Sequence, residues 1–236
     1  VVAACVIFDN KIEIEGVKDS KKISENKRNK LYDEIVSKAK DVSIGLANEY
    51  EIDKYNILEA TFLAMKRAVG NLNIKPETLL IDGPHSNITL IPTKTIVNGD
   101  SLSLSIAAAS IIAKVTRDRI MYQYDKIFPK YGFAKHKGYG TKFHINAINE
   151  MYATPIHRKT FKIVNAKLPM FKYIKSNSLL NELGAQLVGV NFIKNNYTIV
   201  DVNIKIENND EIIDYLIKKD DLFTFAKVIT SYNKKK

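Results

Sequence analysis

A single cysteine, Cys5, stands in a chain of 236 residues. One thiol cannot close an internal disulfide, and its setting among apolar neighbours points to a reducing compartment, hence to the cytoplasm. No apolar run approaches the roughly 20 residues that a membrane-spanning helix needs, and no signal peptide is visible, so no membrane role is expected. Neither G-x-x-x-x-G-K nor G-x-G-x-x-G occurs, which removes the common phosphate-cradling loops. No G-x-S-x-G elbow presents a serine nucleophile. Arginine and histidine disappear after Arg158, and no fixed-period repeat spans the chain.

What is present is a chain 45% hydrophobic and 26% charged, a globular composition long enough for one good core and a smaller unit. The formal charge of +10 calls for a polyanionic partner, and nucleic acid is the default because lysine and arginine gain affinity by neutralising phosphates. A lysine-rich surface that merely keeps the protein soluble is the competing reading.

Residues 1–8 and 11–15 read as strands, the first a continuous apolar run and the second alternating. A helix follows, with Ser24 as N-cap and Leu31, Ile35 and Ala39 on one face. "VSIGLA" reads as a strand. "EIDKYNILEATFLAMKRAVGNL" reads as a helix with Ile57, Leu58, Phe62, Met65 and Val69 on one stripe. "ETLLIDGP" is a short buried strand ending in Asp82, and "TKTIVNGD" a further strand ending at Asp100. Helices are expected over about 101–127 and 141–152. Strands alternating with helices give an α/β sheet flanked by helices. Residues 165–178 show no clear period and read as a linker. After it, a helix and three strand-like runs, "YTIVDVNIKI", "EIIDYLIKKD" and "LFTFAKVIT", predict a second α/β unit over 179–236.

Four features could carry chemistry. Asp82 sits where an apolar strand stops, at the kind of sheet edge where α/β proteins bind ligands, although Asp-Gly also favours a plain turn. Asp100 could simply cap the helix that follows it. If the two carboxylates converge, their repulsion calls for a cation between them, and oxygen ligands suit Mg²⁺ or Mn²⁺. "KHKGYGTKFH" over 135–144 interleaves lysines and histidines with a tyrosine flanked by glycines, a pattern that presents a ring to a sugar or base. His136 and His144 lack cysteine companions, so zinc is a weak reading, and a solvated basic loop is the bland one. "KDSKKIS" over 18–24 offers Ser20, Lys21 and Lys22 to phosphates, or is only a charged helix entrance. "SIAAAS" over 105–110 is a packing feature: small side chains let a helix lie close to its neighbours.

Taken together, "GVKDSKKISENKR", "LLIDGP", "IVNGDSLSLSIAAASIIAKVTRDR", "YGFAKHKGYGTKFH" and "TPIHRKTF" resemble bacterial ribonuclease HII in order and spacing, over residues 1 to about 161. The resemblance implies an RNase H-like mixed sheet with flanking helices, over a domain of 1–164. It implies a two-metal endonuclease, using Mn²⁺ or Mg²⁺, acting on RNA–DNA hybrids or on single ribonucleotides in duplex DNA. Cleavage would fall 5′ of the ribonucleotide and leave a 3′-hydroxyl and a 5′-phosphate. Asp82 and Asp100 match the third and fourth metal-binding acids. Tyr139 matches the tyrosine that packs against the sugar next to the ribonucleotide. Ser20, Lys21 and Lys22 match a segment near the nucleic-acid backbone, and Lys135 and Lys137 flank the tyrosine loop. A monomer is implied.

The family also carries an Asp-Glu pair and a glycine-arginine-glycine loop just upstream of the strand with which this chain begins. Weak metal binding and little or no cleavage are therefore expected of the chain as it stands. The alternative is a catalytically dead nucleic-acid-binding protein. The C-terminal run faintly resembles a small PD-(D/E)xK endonuclease-like family. Lys227 stands where that family has its acid and Ile229 where it has its lysine, which leaves Glu211 and Asp214 without the family's acid-x-lysine pair, so a degenerate module is expected there.

Overall fold

The computed structural model describes residues 1–9, 12–17, 23–88, 91–176, 178–206 and 211–230. The chain divides into two compact units, Val1–Arg117 and Asp118–Lys236.

Unit 1 begins with β1 (Val2–Ile7), α1 (Glu25–Lys38) and β2 (Asp41–Leu46). β1 and β2 pair antiparallel, with Val2 opposite Leu46 and Ile7 opposite Asp41. Residues alternate between the two faces of this ribbon. Ala3 and Cys5 turn toward α2 (Glu49–Gly70) and meet its Ala60, Ala64 and Ala68. Ala4, Val6, Val42 and Ile44 turn the other way, onto Leu31 and Ile35 of α1 and onto Ala107, Ala108, Ile111, Ile112 and Val115. The small residues of "SIAAAS" therefore seat their helix in the core, as the sequence implied. Ser24 caps α1, its side chain accepting from the amide of Lys27.

β2 and α2 approach very closely. Ser43 Oγ donates to the Ala68 carbonyl at 2.6 Å. A Cβ on Gly45 would lie 2.0 Å from the Ala64 carbonyl oxygen and 2.4 Å from the Ala68 amide. Asn48 caps α2 in a reciprocal capping box with Glu51, which also holds the guanidinium of Arg67 through two bonds of 2.6 and 2.9 Å.

α2 does not carry the stripe expected of it. Asn56 adopts a left-handed φ of 71°, and its side chain accepts from the amides of Leu58 and Glu59, so the helix is kinked and re-capped there. Ile57 and Leu58 are left exposed, and the buried line is instead Ala60, Ala64 and Ala68 with Phe62. Met65 and Val69 pack on Leu79, Ile81 and Ile88. Residues 12–15 form no strand, contrary to the alternating pattern; Ile14 and Val17 are simply buried against α1.

β3 (Leu79–Asp82) and β4 (Thr93–Ile96) pair parallel, Asp82 opposite Ile96. The expected α/β class with both strand directions is present, as an antiparallel pair and a parallel pair. After β4 come α3 (Gly99–Leu102) and α4 (Leu104–Ile127). The helix expected over 101–127 thus begins later, after a break at Ser103, which has extended backbone.

Unit 2 holds the end of α4, a tight 3-10 turn at Pro129–Tyr131, α5 (Phe133–His136), α6 (Lys142–Met151), α7 (Lys162–Asn165), α8 (Phe171–Ser176) and α9 (Leu180–Lys194). It ends in an antiparallel meander of β5 (Thr198–Lys205), β6 (Ile212–Lys219) and β7 (Leu222–Ala226). The helix and three strands foreseen after residue 178 are all there. α9 lies on the meander through glycine and alanine: the Tyr215 hydroxyl donates to the Ala185 carbonyl at 2.7 Å and fills the space beside Gly189. The stretch 165–178, read as a linker, contains α8.

Candidate functional site

Asp82 is the last residue of β3. Strand alternation buries Leu79 and Ile81 on one face and sends Leu80 and Asp82 to the other, which leaves the Asp82 carboxylate exposed. The chain then turns through Gly83, whose φ of 115° is a conformation that glycine adopts freely. The Gly83 amide bonds to the Ile96 carbonyl and ties the ends of the parallel strands together.

Asp100 reaches the same edge by another route. β4 ends at Ile96, Asn98 takes a left-handed φ of 56°, and α3 starts at Gly99. Asp100 lies inside the first turn of α3 and is 4% exposed. Neither the strand ending at Asp100 nor its role as N-cap of the long helix is realised. The left-handed Asn98 starts a separate short helix before α4, and Asn98 is its N-cap. The link between the two acids is Gly99, whose amide donates to Asp82 Oδ1 at 2.8 Å. A side chain at Gly99 would press on Ile106 and stand 3.4 Å from that same oxygen. Asp100 Oδ1 is shielded from solvent and accepts no hydrogen bond, although the residue keeps another interaction.

This edge offers hard oxygen donors of the kind Mg²⁺ and Mn²⁺ accept. The donors suit such an ion as two of its ligands. Among the described residues, no group of three or more histidines, cysteines, aspartates or glutamates is arranged to hold one.

The glycine-flanked tyrosine lies in unit 2. Its loop is pinned by its own backbone: the Tyr139 amide donates to the His136 carbonyl, and the Tyr139 carbonyl accepts from the Thr141 amide, both at 2.8 Å. The Tyr139 ring is 59% exposed and Lys135 is also exposed. Lys137 departs from the solvent-facing position expected of it. Left-handed at φ 50°, it closes α5, is 8% exposed, donates from Nζ to the Ala134 carbonyl and sits 3.7 Å over the Tyr122 ring. The cation is thus engaged by a carbonyl and a π face within the fold. Ser20, Lys21 and Lys22 lie outside the described residues.

Sequence reasoning missed a cluster of buried histidines. His136 and His144 stack with ring centroids 4.2 Å apart, and His144 meets His157 through their Nε2 atoms at 2.9 Å. The rings of Tyr131 and Phe133 enclose them. Burial, followed by the neighbouring His144, pushes His157 down to about 4, and burial also lowers His144. Both stay neutral near pH 7. The aromatic-rich context of "YGF" ahead of "KHKG" was the available signal.

In the C-terminal meander, Lys227 Nζ donates to the Ile212 carbonyl, and Asp214 accepts from the Val228 amide at 2.7 Å. Asp214 is thus spent on backbone. Across the described residues, no helix is long and apolar enough to cross a membrane.

The family model described as Ribonuclease HII matches residues 1–164. Ribonuclease HII of Clostridioides difficile (strain 630) is 55% identical over 161 residues, which are 68% of this chain and 63% of that protein. Ribonuclease HII of Geotalea uraniireducens (strain Rf4) is 57% identical over 162 residues, 69% of this chain and 75% of that protein. The crystal structure of ribonuclease H2 from Pyrococcus horikoshii OT3 shares the fold, with a TM-score of 0.56 and 24% identity over 70% of this chain and 95% of that one. The match thus spans under two thirds of the C. difficile relative's length and covers both acids and the tyrosine loop. On this evidence the chain belongs to the ribonuclease HII family.

Proposed function

We propose that this chain carries the function of a ribonuclease H type II endonuclease, cutting 5′ of a ribonucleotide in RNA–DNA hybrids and at single ribonucleotides in duplex DNA, with 3′-hydroxyl and 5′-phosphate products. The observation that carries the reading is the bond from the Gly99 amide to Asp82 at the end of the parallel pair β3–β4, which sets the residue before Asp100 against Asp82 within the region matched to the family. Asp82 and Asp100 would hold divalent cations, Mn²⁺ or Mg²⁺, which when bound activate water and stabilise the departing 3′ oxygen. The remaining steps belong to the chain itself. The Gly99 amide keeps one oxygen of Asp82 fixed, so its second oxygen is the one presented at the edge. Tyr139 offers an exposed ring to the sugar of the bound strand. Lys135, with Ser20, Lys21 and Lys22, contributes phosphate contacts that set register, and the 2′-hydroxyl marks the ribonucleotide.

In this reading residues 1–164 are the nuclease domain, 165–178 connect it, and 179–236 are a degenerate endonuclease-like module. Asp214 and Lys227 bonded to backbone support the loss of chemistry there. A monomer in the reducing cytoplasm suits the half-buried, free Cys5 thiol.

The test is cleavage of a labelled duplex bearing one ribonucleotide, with Mn²⁺ or Mg²⁺ present. In a protein that also carries the family's upstream Asp-Glu pair, Asp82→Asn and Asp100→Asn should each abolish cutting while leaving duplex binding in place; cutting that survives either change refutes the assigned roles. A second reading, a nucleic-acid-binding protein without catalysis, is favoured by one observation: two acids, with no third ligand among the described residues, form the edge. It predicts salt-dependent duplex binding with no cleavage at any metal concentration.

A further inference from the structure

The histidine cluster has only one arrangement of protons that satisfies its backbone. The Thr154 amide points at His157 Nδ1 at 2.9 Å, and an amide can only donate, so Nδ1 carries no proton. Neutral His157 is then protonated at Nε2, and that N–H donates to His144 Nε2. His144 must in turn carry its proton at Nδ1, which lies 3.0 Å from the Tyr139 carbonyl and donates to it. The stacked neighbour is fixed in the same way. The Gly138 amide donates to His136 Nδ1, and His136 Nε2–H donates to the Tyr131 carbonyl.

We propose that His157 is a positioning residue for the Tyr139 loop, acting through His144, so that the Thr154 turn dictates where the tyrosine is presented. Thr154-Pro155-Ile156-His157 is a tight turn closed by the His157 amide on the Thr154 carbonyl, with proline at its second position. This turn is the rigid end of the relay; the other end is a carbonyl flanked by Gly138 and Gly140, which supply little stiffness of their own. The groups that face His157 are the rings of Tyr131, Phe133 and His144 and the hydroxyl of Thr154, with the titratable ring of His136 stacked on His144. Any added proton sets two donors against each other, at Thr154 or between the imidazoles.

The proposal rests on Tyr139 as a nucleic-acid contact only for its consequence, and the test separates the two. Long-range ¹⁵N–¹H spectra of the imidazoles at pH 7.5 should show His157 as the Nε2–H tautomer and His144 as the Nδ1–H tautomer. His144 found protonated at Nε2 overturns the proposal outright, whatever any variant does. His157→Phe should shift the amide resonances of residues 138–140 and weaken binding to a ribonucleotide-bearing duplex roughly fivefold or more, within the range set by loss of one stacked ring. His157→Gln, which can place an N–H at the Nε2 position, should restore both. Unchanged 138–140 resonances in folded His157→Phe also overturn it. Should His157→Phe fail to fold, the wild-type tautomers decide. If Tyr139→Ala binds the duplex as wild type does, the contact assigned to Tyr139 falls, and the resonances still decide the positioning role.

Discussion

Replacing Gly45 with alanine drives a methyl group into the backbone of α2. The new Cβ would lie 2.0 Å from the Ala64 carbonyl oxygen and 2.4 Å from the Ala68 nitrogen. Ordinary contact begins near about 3.5 Å, so the helix must retreat by about 1.5 Å. The obstacle is main chain, which cannot swing aside as a side chain does. Retreat also stretches the 2.6 Å bond from Ser43 to the Ala68 carbonyl, the 2.6 Å bond from Arg67 to the Leu46 carbonyl and the 2.9 Å bond from Asn71 to the Ile44 carbonyl. Overpacking costs about 1–3 kcal/mol, a lost hydrogen bond about 1, and the stiffer unfolded chain returns about 0.5. The net is roughly 1.5–3.5 kcal/mol, read as a fall in melting temperature of roughly 3–14 °C by circular dichroism. Gly70 is the internal control, since it ends the same helix with open space around it. Gly70→Ala should be neutral or stabilising by up to about 1 kcal/mol. A Gly45→Ala protein that melts with or above wild type would refute the close approach.

Stability should also respond to acid through the histidines. His157 is held at about 4 against an ordinary 6.5, so the unfolded chain takes up the proton first as pH falls. The stabilisation is complete above pH 6.5 and is lost on the way down to pH 4, ~3 kcal/mol for this group. Urea midpoints should show that slope in wild type and a flatter one in His157→Gln. Gly99→Ala presses its methyl on Ile106 Cδ1 at 2.6 Å and stands 3.4 Å from Asp82 Oδ1, so the fold should survive while the Gly99–Asp82 contact shifts to relieve the side-chain clash. Mn²⁺ affinity, measured by paramagnetic titration, should drop roughly tenfold, as for changes to groups that orient a ligand. Arg67→Met removes a surface pair with good geometry and should destabilise by roughly 0.5–1 kcal/mol, with the difference shrinking in high salt.

Local signals were legible where local physics decided the outcome. Ser24 caps its helix, a helix forms over Lys142–Met151 close to the expected 141–152, and β3 ends at Asp82 where the apolar run stops. The alternation that exposes the Asp82 carboxylate is not legible in the run, which reads as buried throughout. Asp100 was harder, because a left-handed Asn98 inserts a turn of helix that no periodicity announces, yet the residue still arrives at the same strand ends. The stripe on α2 failed in its first turn for a related reason: Asn56 bonds its own downstream amides and resets the helical phase, leaving Ile57 and Leu58 exposed, and alanines meet β1 while Met65 and Val69 keep to β3. Lys137 was legible only as a charge, since its inward turn depends on the Tyr122 ring fifteen residues earlier in the chain. The histidine relay was invisible for the same reason, as its members come from three separate segments.

Cys5 faces the alanine line of α2, and burial pushes its thiol up to about 11. At pH 7.5 only on the order of one molecule in a few thousand then carries the nucleophilic thiolate there. A cysteine engineered onto the surface would outcompete it for maleimide reagents without any need to mutate the native one. Spin labels or dyes placed beside Tyr139 or Asp82 could thus report on each region separately, in an otherwise unaltered chain.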